Sequence, residues 1–182
     1  MLDEKIIRVL ESGTKAEKIE TLESLENTNN SEIINKIISK LDDSDIEVRG
    51  EAFSSLVLNE NDISKMLFQN LKSESKNIRG FSTLVLANRR NSDSISVITN
   101  LTKDQSGMVR ACALGALGYL KAKQSCKEIH DCLFDSNLEV KKSALKAITD
   151  IGDKISSEEI IHLSKEKDPE IEKLLVQVKI NS

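Results

Sequence analysis

Cysteine and histidine, which often act as nucleophiles, bases and metal ligands, are few in this sequence. The chain has three cysteines and two histidines: Cys112, Cys126, Cys132, His130 and His162. Cys126 and Cys132 are six residues apart, a spacing that matches neither a CxxC redox pair nor a zinc ribbon. On one α-helix that separation is about 600° of rotation, so the two thiols would project from different faces. We therefore predict no catalytic residue, no metal and no cofactor. Reduced intracellular thiols and partly exposed helix histidines are the expected states.

A second candidate set is a row of charged side chains separated by 30 or 31 residues. It comprises Lys18, Arg49, Arg79, Arg110, Lys141 and Glu172. Guanidinium groups at such intervals could follow the phosphates of a nucleic acid. Against this, Asp45 and Arg49 have the spacing of an ion pair within one helix. The formal net charge of −4 also disfavours nucleic acid, although residues 61–120 hold eight basic and four acidic residues, including Arg89 and Arg90.

The residues around this row predict a helix that begins at the same point in each repeat. Four residues before each marked position stands a side chain able to cap a helix: Thr14, Asp45, Ser75, Ser106, Asn137 or Asp168. Apolar residues just before the marked positions lie on one helical face with others seven residues after them, such as Leu56, Leu86 and Leu117. Small residues mostly follow at the third position: Thr21, Ala52, Ser82, Ala113 and Ala144. Gly115 and Gly118 are expected to allow close helix contact.

A second, trailing helix is predicted in each repeat, marked by apolar positions such as Ile33, Ile37 and Leu41. Polar joints separate the two helices, and Gly152 is the expected stop of one leading helix. Such a pair can bury its apolar face only against neighbouring pairs, so we predict one all-α domain over residues 1–182. The predicted units are 14–44, 45–74, 75–105, 106–136 and 137–167, with half repeats at 1–13 and 168–182.

This order of parts resembles the HEAT-like repeat, particularly the short version found in the phycobilin lyase family. The resemblance rests on Asp45-x-x-Val48-Arg49-x-x-Ala52, on residues 109–117 and on Asp168-Pro169-Glu170-Ile171. It implies a right-handed α-solenoid of about five to six stacked antiparallel helix pairs, an armadillo-type superhelix. It also implies that the basic row forms an internal ladder between neighbouring repeats. HEAT-like deoxyhypusine hydroxylases bind iron through His-Glu pairs, and this sequence has no such pair.

In HEAT-like arrays the trailing helices line the concave surface, which is where we expect a partner to bind. We call its candidate residues the trailing-helix face: Lys36, Lys40, Lys65, Gln69, Asn100, Lys127, Asp131 and His162. The leading hypothesis is a non-catalytic scaffold or adaptor that binds a protein partner of unknown identity there. One alternative is a phycobilin lyase-like subunit that assists tetrapyrrole attachment, and a second is a nucleic-acid-binding protein.

The sequence also bears on location. No apolar run approaches the roughly 18 residues that span a bilayer, and the first ten residues alternate charged with apolar types. We therefore expect a cytoplasmic protein without a membrane segment. The sequence carries no signal for an oligomeric state.

Overall fold

The computed structural model describes residues 2–180, which contain twelve α-helices and no β-strand. The helices are α1 Leu2–Ser12, α2 Lys15–Glu23, α3 Ser31–Ser39, α4 Ile46–Leu58, α5 Ser64–Asn70, α6 Lys76–Asn88, α7 Ile95–Leu101, α8 Gly107–Tyr119, α9 Cys126–Asp131, α10 Leu138–Ile151, α11 Ser157–Ser164 and α12 Pro169–Ile180. Two of them fall within each of the five predicted repeat ranges, so the all-α prediction is confirmed.

The leading helices begin at the predicted caps. Thr14 and Glu17 form a capping box at the start of α2. The side chains of Asp45, Ser75, Asn137 and Asp168 accept hydrogen bonds from backbone N–H groups in the first turns of α4, α6, α10 and α12. Ser106 occupies the cap position of α8, but its side chain makes no capping bond. The sequence therefore predicts each start correctly and the capping bond in five of six repeats.

The chain divides into two compact units, one ending at Arg89 and the other beginning at Arg90. Within the first, the leading helices α2, α4 and α6 pack in sequence, and α3 and α5 pack against each other and against the leading helices. Within the second, α8 packs along α10 and α10 packs on α12, with α7, α9 and α11 as trailing helices. The boundary lies between α6 and α7, inside the predicted repeat 75–105.

The core of each unit is aliphatic, as the periodicity predicts. Buried side chains at matching positions include Leu56, Leu86, Leu117 and Ile148, together with the small residues Ala52, Ser82, Ala113 and Ala144. A Cβ on Gly118 would lie 2.9 Å from the Cα of Ala147, so this glycine does allow α8 to approach α10. The same prediction is wrong for Gly115, because a Cβ there meets nothing within 4 Å.

The ends of three helices show the repeat in the backbone. Gly152 ends α10 with a left-handed φ of 77°, which confirms the predicted helix stop. Arg90 and Lys121 take left-handed φ angles of 54° and 53° at points 62 and 31 residues earlier in the chain. Of these three left-handed positions, only one is therefore occupied by glycine, and the other two are occupied by residues with long side chains.

Candidate functional site

The row of basic residues forms ion pairs inside each unit. Lys18 Nζ lies 2.9 Å from Asp43 Oδ2. Arg110 binds Asp135 with two hydrogen bonds, Nε to Oδ2 at 2.7 Å and Nη2 to Oδ1 at 2.8 Å. Lys141 Nζ forms an ion pair with Glu166 Oε1. Each acid stands 25 residues after its base, in the loop before the next leading helix, so each pair joins the leading helix of a predicted repeat to the end of the same repeat. The expected ladder of contacts between neighbouring repeats is therefore wrong for these three pairs.

All three arginines of the row donate to backbone carbonyls, Arg110 through Nη1 to the carbonyl oxygen of Asp104 at 2.8 Å. Arg49 Nη1 donates to the carbonyl oxygens of Asp43, at 2.7 Å, and Ser44, at 3.2 Å. Arg79, which is only 6% exposed, makes matching bonds to the loop before α6. The expected Asp45–Arg49 pair is wrong, because Asp45 caps α4 and lies 3.6 Å from Lys15 Nζ instead. These guanidinium groups therefore fix loops in place.

Arg89, considered above as part of a basic surface, turns towards the end of α4. Its guanidinium donates to the carbonyl of Leu56, at 3.1 Å, and to those of Asn59 and Asn61. Burial lowers the pKa of Arg89, and the nearby carboxylate of Asp62 opposes that shift. The side chain thus satisfies carbonyl groups that a helix end leaves without partners.

In the first unit, the trailing-helix face is only partly open. Lys36 forms an ion pair with Glu11 of α1, and Lys40 Nζ lies 3.5 Å from Asp43 Oδ2. Both lysines are half-buried. The two predicted residues on α5 are exposed: Lys65 and Gln69. They are four residues apart, and therefore share one side of the helix.

In the second unit, three of the four predicted residues are exposed: Asn100 on α7, with Lys127 and Asp131 on α9. His162 on α11 is half-buried, and its ring centroid lies 4.6 Å from that of Phe134. Its Nε2 atom is buried and has no hydrogen-bond partner within residues 2–180. The structure therefore gives His162 a packing role alongside any role in binding.

His130 stands in a polar cluster that the sequence did not predict. Its Nδ1 lies 2.6 Å from Glu159 Oε1, and its Nε2 lies 3.4 Å from Asp153 Oδ2. Burial favours a higher pKa for Glu159, but hydrogen bonds from the Ser156 N–H and from His130 hold that pKa below its usual value. The cluster joins α9 to the start of α11, and so connects one repeat to the next.

The three cysteines are free thiols with little nucleophilic character. Burial raises the pKa of Cys112 and Cys132 to about 11. Burial and a hydrogen bond with Asp153 raise the pKa of Cys126 to about 11 as well. Since the thiolate is the reactive form, these side chains are poorly suited to covalent catalysis near neutral pH.

Two further properties of residues 2–180 bear on the site. These residues contain no group of three or more His, Cys, Asp or Glu side chains placed to hold a metal ion. Across the same residues, no helix combines the length and the apolar character needed to cross a bilayer.

Comparison with known proteins finds a repeat family that matches part of the chain. Residues 101–178 match the family model described as HEAT repeats. The matched residues make up most of the second unit. They include the leading helices α8 and α10, which follow the cap positions Ser106 and Asn137. No curated protein sequence matches the chain.

Solved structures extend the comparison to nearly the whole chain. The complex of CpcE and CpcF of phycocyanin lyase from Nostoc sp. gives a TM-score of 0.64 at 15% identity, over 84% of this chain and 99% of that one. A designed armadillo repeat protein in complex with the peptide (KR)4 gives 0.55 at 18% identity, over 97% and 98%. An engineered protein gives 0.55 at 18% identity, over 98% and 95%. At these identities the likeness shows the fold alone, which is the predicted α-solenoid.

Proposed function

We propose that this protein is a non-catalytic scaffold or adaptor, and that a protein partner binds its trailing-helix face. The observation that carries the proposal is that each of the two units exposes polar side chains on its trailing helices. They are Lys65, Gln69, Asn100, Lys127 and Asp131. A HEAT-repeat solenoid is typical of protein-interaction scaffolds, because its stacked helices offer an extended binding surface.

The chemistry of the polar clusters supports a role without catalysis. His130 is held between two carboxylates, and the thiols have raised pKa values. The arginines of the row serve loop carbonyls or carboxylates, which favours a protein partner over nucleic acid. Free cysteines suit the reducing cytoplasm, where we propose that the protein acts.

The test reverses charge on the trailing-helix face. Lys65→Glu and Lys127→Glu together alter two exposed lysines of this face, whereas Lys36→Glu would break the ion pair with Glu11. Partners recovered from native lysate by affinity purification would be quantified by mass spectrometry. We expect partner recovery to fall in the double variant.

The matched control reverses two exposed lysines on leading helices, Lys76→Glu and Lys173→Glu. It makes the same change in net charge, so a loss confined to the trailing-helix variant locates the binding surface. Equal recovery by the wild type and the Lys65/Lys127 variant contradicts the proposal.

A second candidate function comes from the structural likeness to the phycocyanin lyase complex, with its TM-score of 0.64. In this alternative the protein assists tetrapyrrole attachment. Mixing it with a bilin and an apo-phycobiliprotein should then change the visible absorbance spectrum. An unchanged spectrum removes this candidate. The nucleic-acid alternative predicts binding that weakens steeply with salt, and absence of binding at low salt removes it.

A further inference from the structure

A cleft of about 730 Å³ lies in the second unit, between the C-terminal halves of α8 and α10. Gly115 and Ala147 line it, and the space that a Cβ on Gly115 would enter is open. Tyr119, which is 51% exposed, supplies an aromatic side chain. The volume lies within the range of ligand pockets in proteins, roughly 300–1,000 Å³. The cleft shares no residue with the trailing-helix face.

The charge of this cleft is mainly positive. Three cations line it, Arg90, Lys121 and Lys146, together with one carboxylate, Asp150. Lys121 Nζ donates to the backbone carbonyl of Asp150, so that cation is already engaged. Arg90 and Lys146 are exposed, and neither forms an ion pair within residues 2–180. Two cations beside a concave surface are therefore available to an anionic ligand.

The partial charges at the helix ends favour one kind of anionic ligand over another. α8 ends at Tyr119 and α10 ends at Ile151, so the cleft lies near the C-terminal, partly negative ends of two helices. A compact doubly charged phosphate is favoured at helix N-termini instead. Carboxylates spread along an extended chain can each reach one cation while avoiding these carbonyl groups.

We propose that this cleft docks a short acidic peptide segment of a partner protein. Carboxylates of the segment bind Arg90 and Lys146, and an apolar side chain packs on Tyr119 and over Gly115.

The experiment uses the full chain and three fluorescein-labelled octapeptides, (Glu-Asp)4, (Gln-Asn)4 and (Lys-Arg)4. Fluorescence anisotropy would measure the Kd of each. We expect the acidic peptide to bind and the other two not to bind. The double variant Arg90→Glu/Lys146→Glu should raise the Kd by about tenfold or more, because it reverses both free cations.

Two further variants separate the cleft from general electrostatic attraction. Gly115→Met fills the cleft without changing charge, and should also weaken binding by about tenfold. Gly50→Met is its control, because Gly50 has equally open space in the first unit. Lys76→Glu/Lys173→Glu matches the charge change outside both the cleft and the trailing-helix face, and should leave most of the binding. Circular dichroism would establish that each variant is folded.

The proposal is overturned if wild-type protein does not bind the acidic peptide, or if Gly115→Met binds it as tightly as Gly50→Met does. Equal losses in the Arg90/Lys146 and Lys76/Lys173 variants also overturn it, since binding would then follow net charge alone. The last ligand in the experiment is a labelled eight-nucleotide thymidine oligomer, whose Kd would be measured in the same way. Binding of the oligomer through Arg90 and Lys146, without binding of the acidic peptide, would assign the cleft to nucleic acid instead.

Discussion

At the scale of single residues, Ser82 departs from the repeat. It is fully buried at a position that alanine occupies in three other repeats: Ala52, Ala113 and Ala144. Its hydroxyl has no hydrogen-bond partner within residues 2–180. A buried polar group without a partner loses its hydration and gains nothing in return.

Ser82→Ala should therefore stabilise the protein. We expect the free energy of unfolding to rise by about 1 kcal/mol, or Tm by about 2–4 °C, beyond any gain in helix propensity. Urea and thermal unfolding would measure both. Ser96→Ala, an exposed change on α7, is the control for propensity and should gain about 0.5 kcal/mol or less. A smaller gain at Ser82 than at Ser96 contradicts the prediction.

Glu159 sets a pH dependence through its hydrogen bonds with the Ser156 N–H and with His130. Its pKa is below the ordinary value of 4.5 in the folded protein, so the folded state binds a proton less readily than the unfolded chain. The resulting stability is present above pH 4.5 and is lost as pH falls through the folded pKa. Glu159→Gln keeps a side chain able to cap α11 but removes this titration.

Unfolding in urea between about pH 3 and pH 7 would check this expectation. The wild type should lose more stability on acidification than Glu159→Gln. Glu158→Gln changes the exposed neighbour on the same helix and should follow the wild type. If the free energy of unfolding changes with pH in the same way for the wild type and Glu159→Gln, Glu159 does not contribute to the pH dependence of stability.

At the scale of elements, two glycines on α8 have opposite roles. Gly118→Ala would place its Cβ 2.9 Å from the backbone of α10, and should destabilise the protein by about 1–3 kcal/mol. Gly115→Ala meets open space and should stabilise α8 by about 0.5–1 kcal/mol, because alanine restricts the unfolded chain. The two Tm values should lie on either side of the wild-type value. Changes of the same sign would contradict the packing described for this helix pair.

The starts of α8 and α10 allow a second comparison between two variants. Asn137 caps α10 by accepting from Glu139 N at 2.9 Å and Val140 N at 3.2 Å, whereas Ser106 makes no such bond at the start of α8. Asn137→Ala should lower the free energy of unfolding by about 1 kcal/mol. Ser106→Ala should cost clearly less. Chemical denaturation of both variants would test the difference, and equal losses would contradict it.

At the scale of the whole molecule, the sequence predicted what depends on local residue type and spacing. Five of the six caps, the buried leucines and the helix stop at Gly152 follow from side-chain chemistry within a few residues. Exposure was harder to predict. Helical position placed Lys36 and His162 towards solvent, but Glu11 of another helix and the Phe134 ring take up part of each side chain.

The ion-pair partners were present in the sequence as a second periodic row. An acid follows each of the five basic residues after 25 residues: Asp43, Glu74, Asp104, Asp135 and Glu166. The structure shows the contact for Lys18, Arg110 and Lys141. The His130 cluster, by contrast, occurs in one repeat and had no periodic signal. A contact that repeats can be predicted from spacing, whereas a single tertiary contact requires the fold.

This row of ion pairs should stabilise the array more than surface ion pairs do. Asp135 accepts two hydrogen bonds from Arg110 and one from the N–H of Asn137. Burial acts to raise the pKa of Asp135, but the Arg110 guanidinium holds it below the ordinary value of 3.8. Stability from this group is thus present above pH 3.8 and is lost as pH falls through the folded pKa.

Asp135→Asn should lower the free energy of unfolding at neutral pH by about 2 kcal/mol, because it removes the charged acceptor of a partly buried bidentate pair. Glu139→Gln is the control, since Glu139 is 72% exposed beside Lys142 and should cost under about 0.5 kcal/mol. Urea unfolding at neutral pH and at acid pH would compare the three proteins. The deficit of Asp135→Asn should shrink in acid, where the wild-type carboxylate takes up a proton. If Asp135→Asn loses no more free energy of unfolding than Glu139→Gln, or if its loss does not change with pH, the Arg110–Asp135 pair does not stabilise the fold.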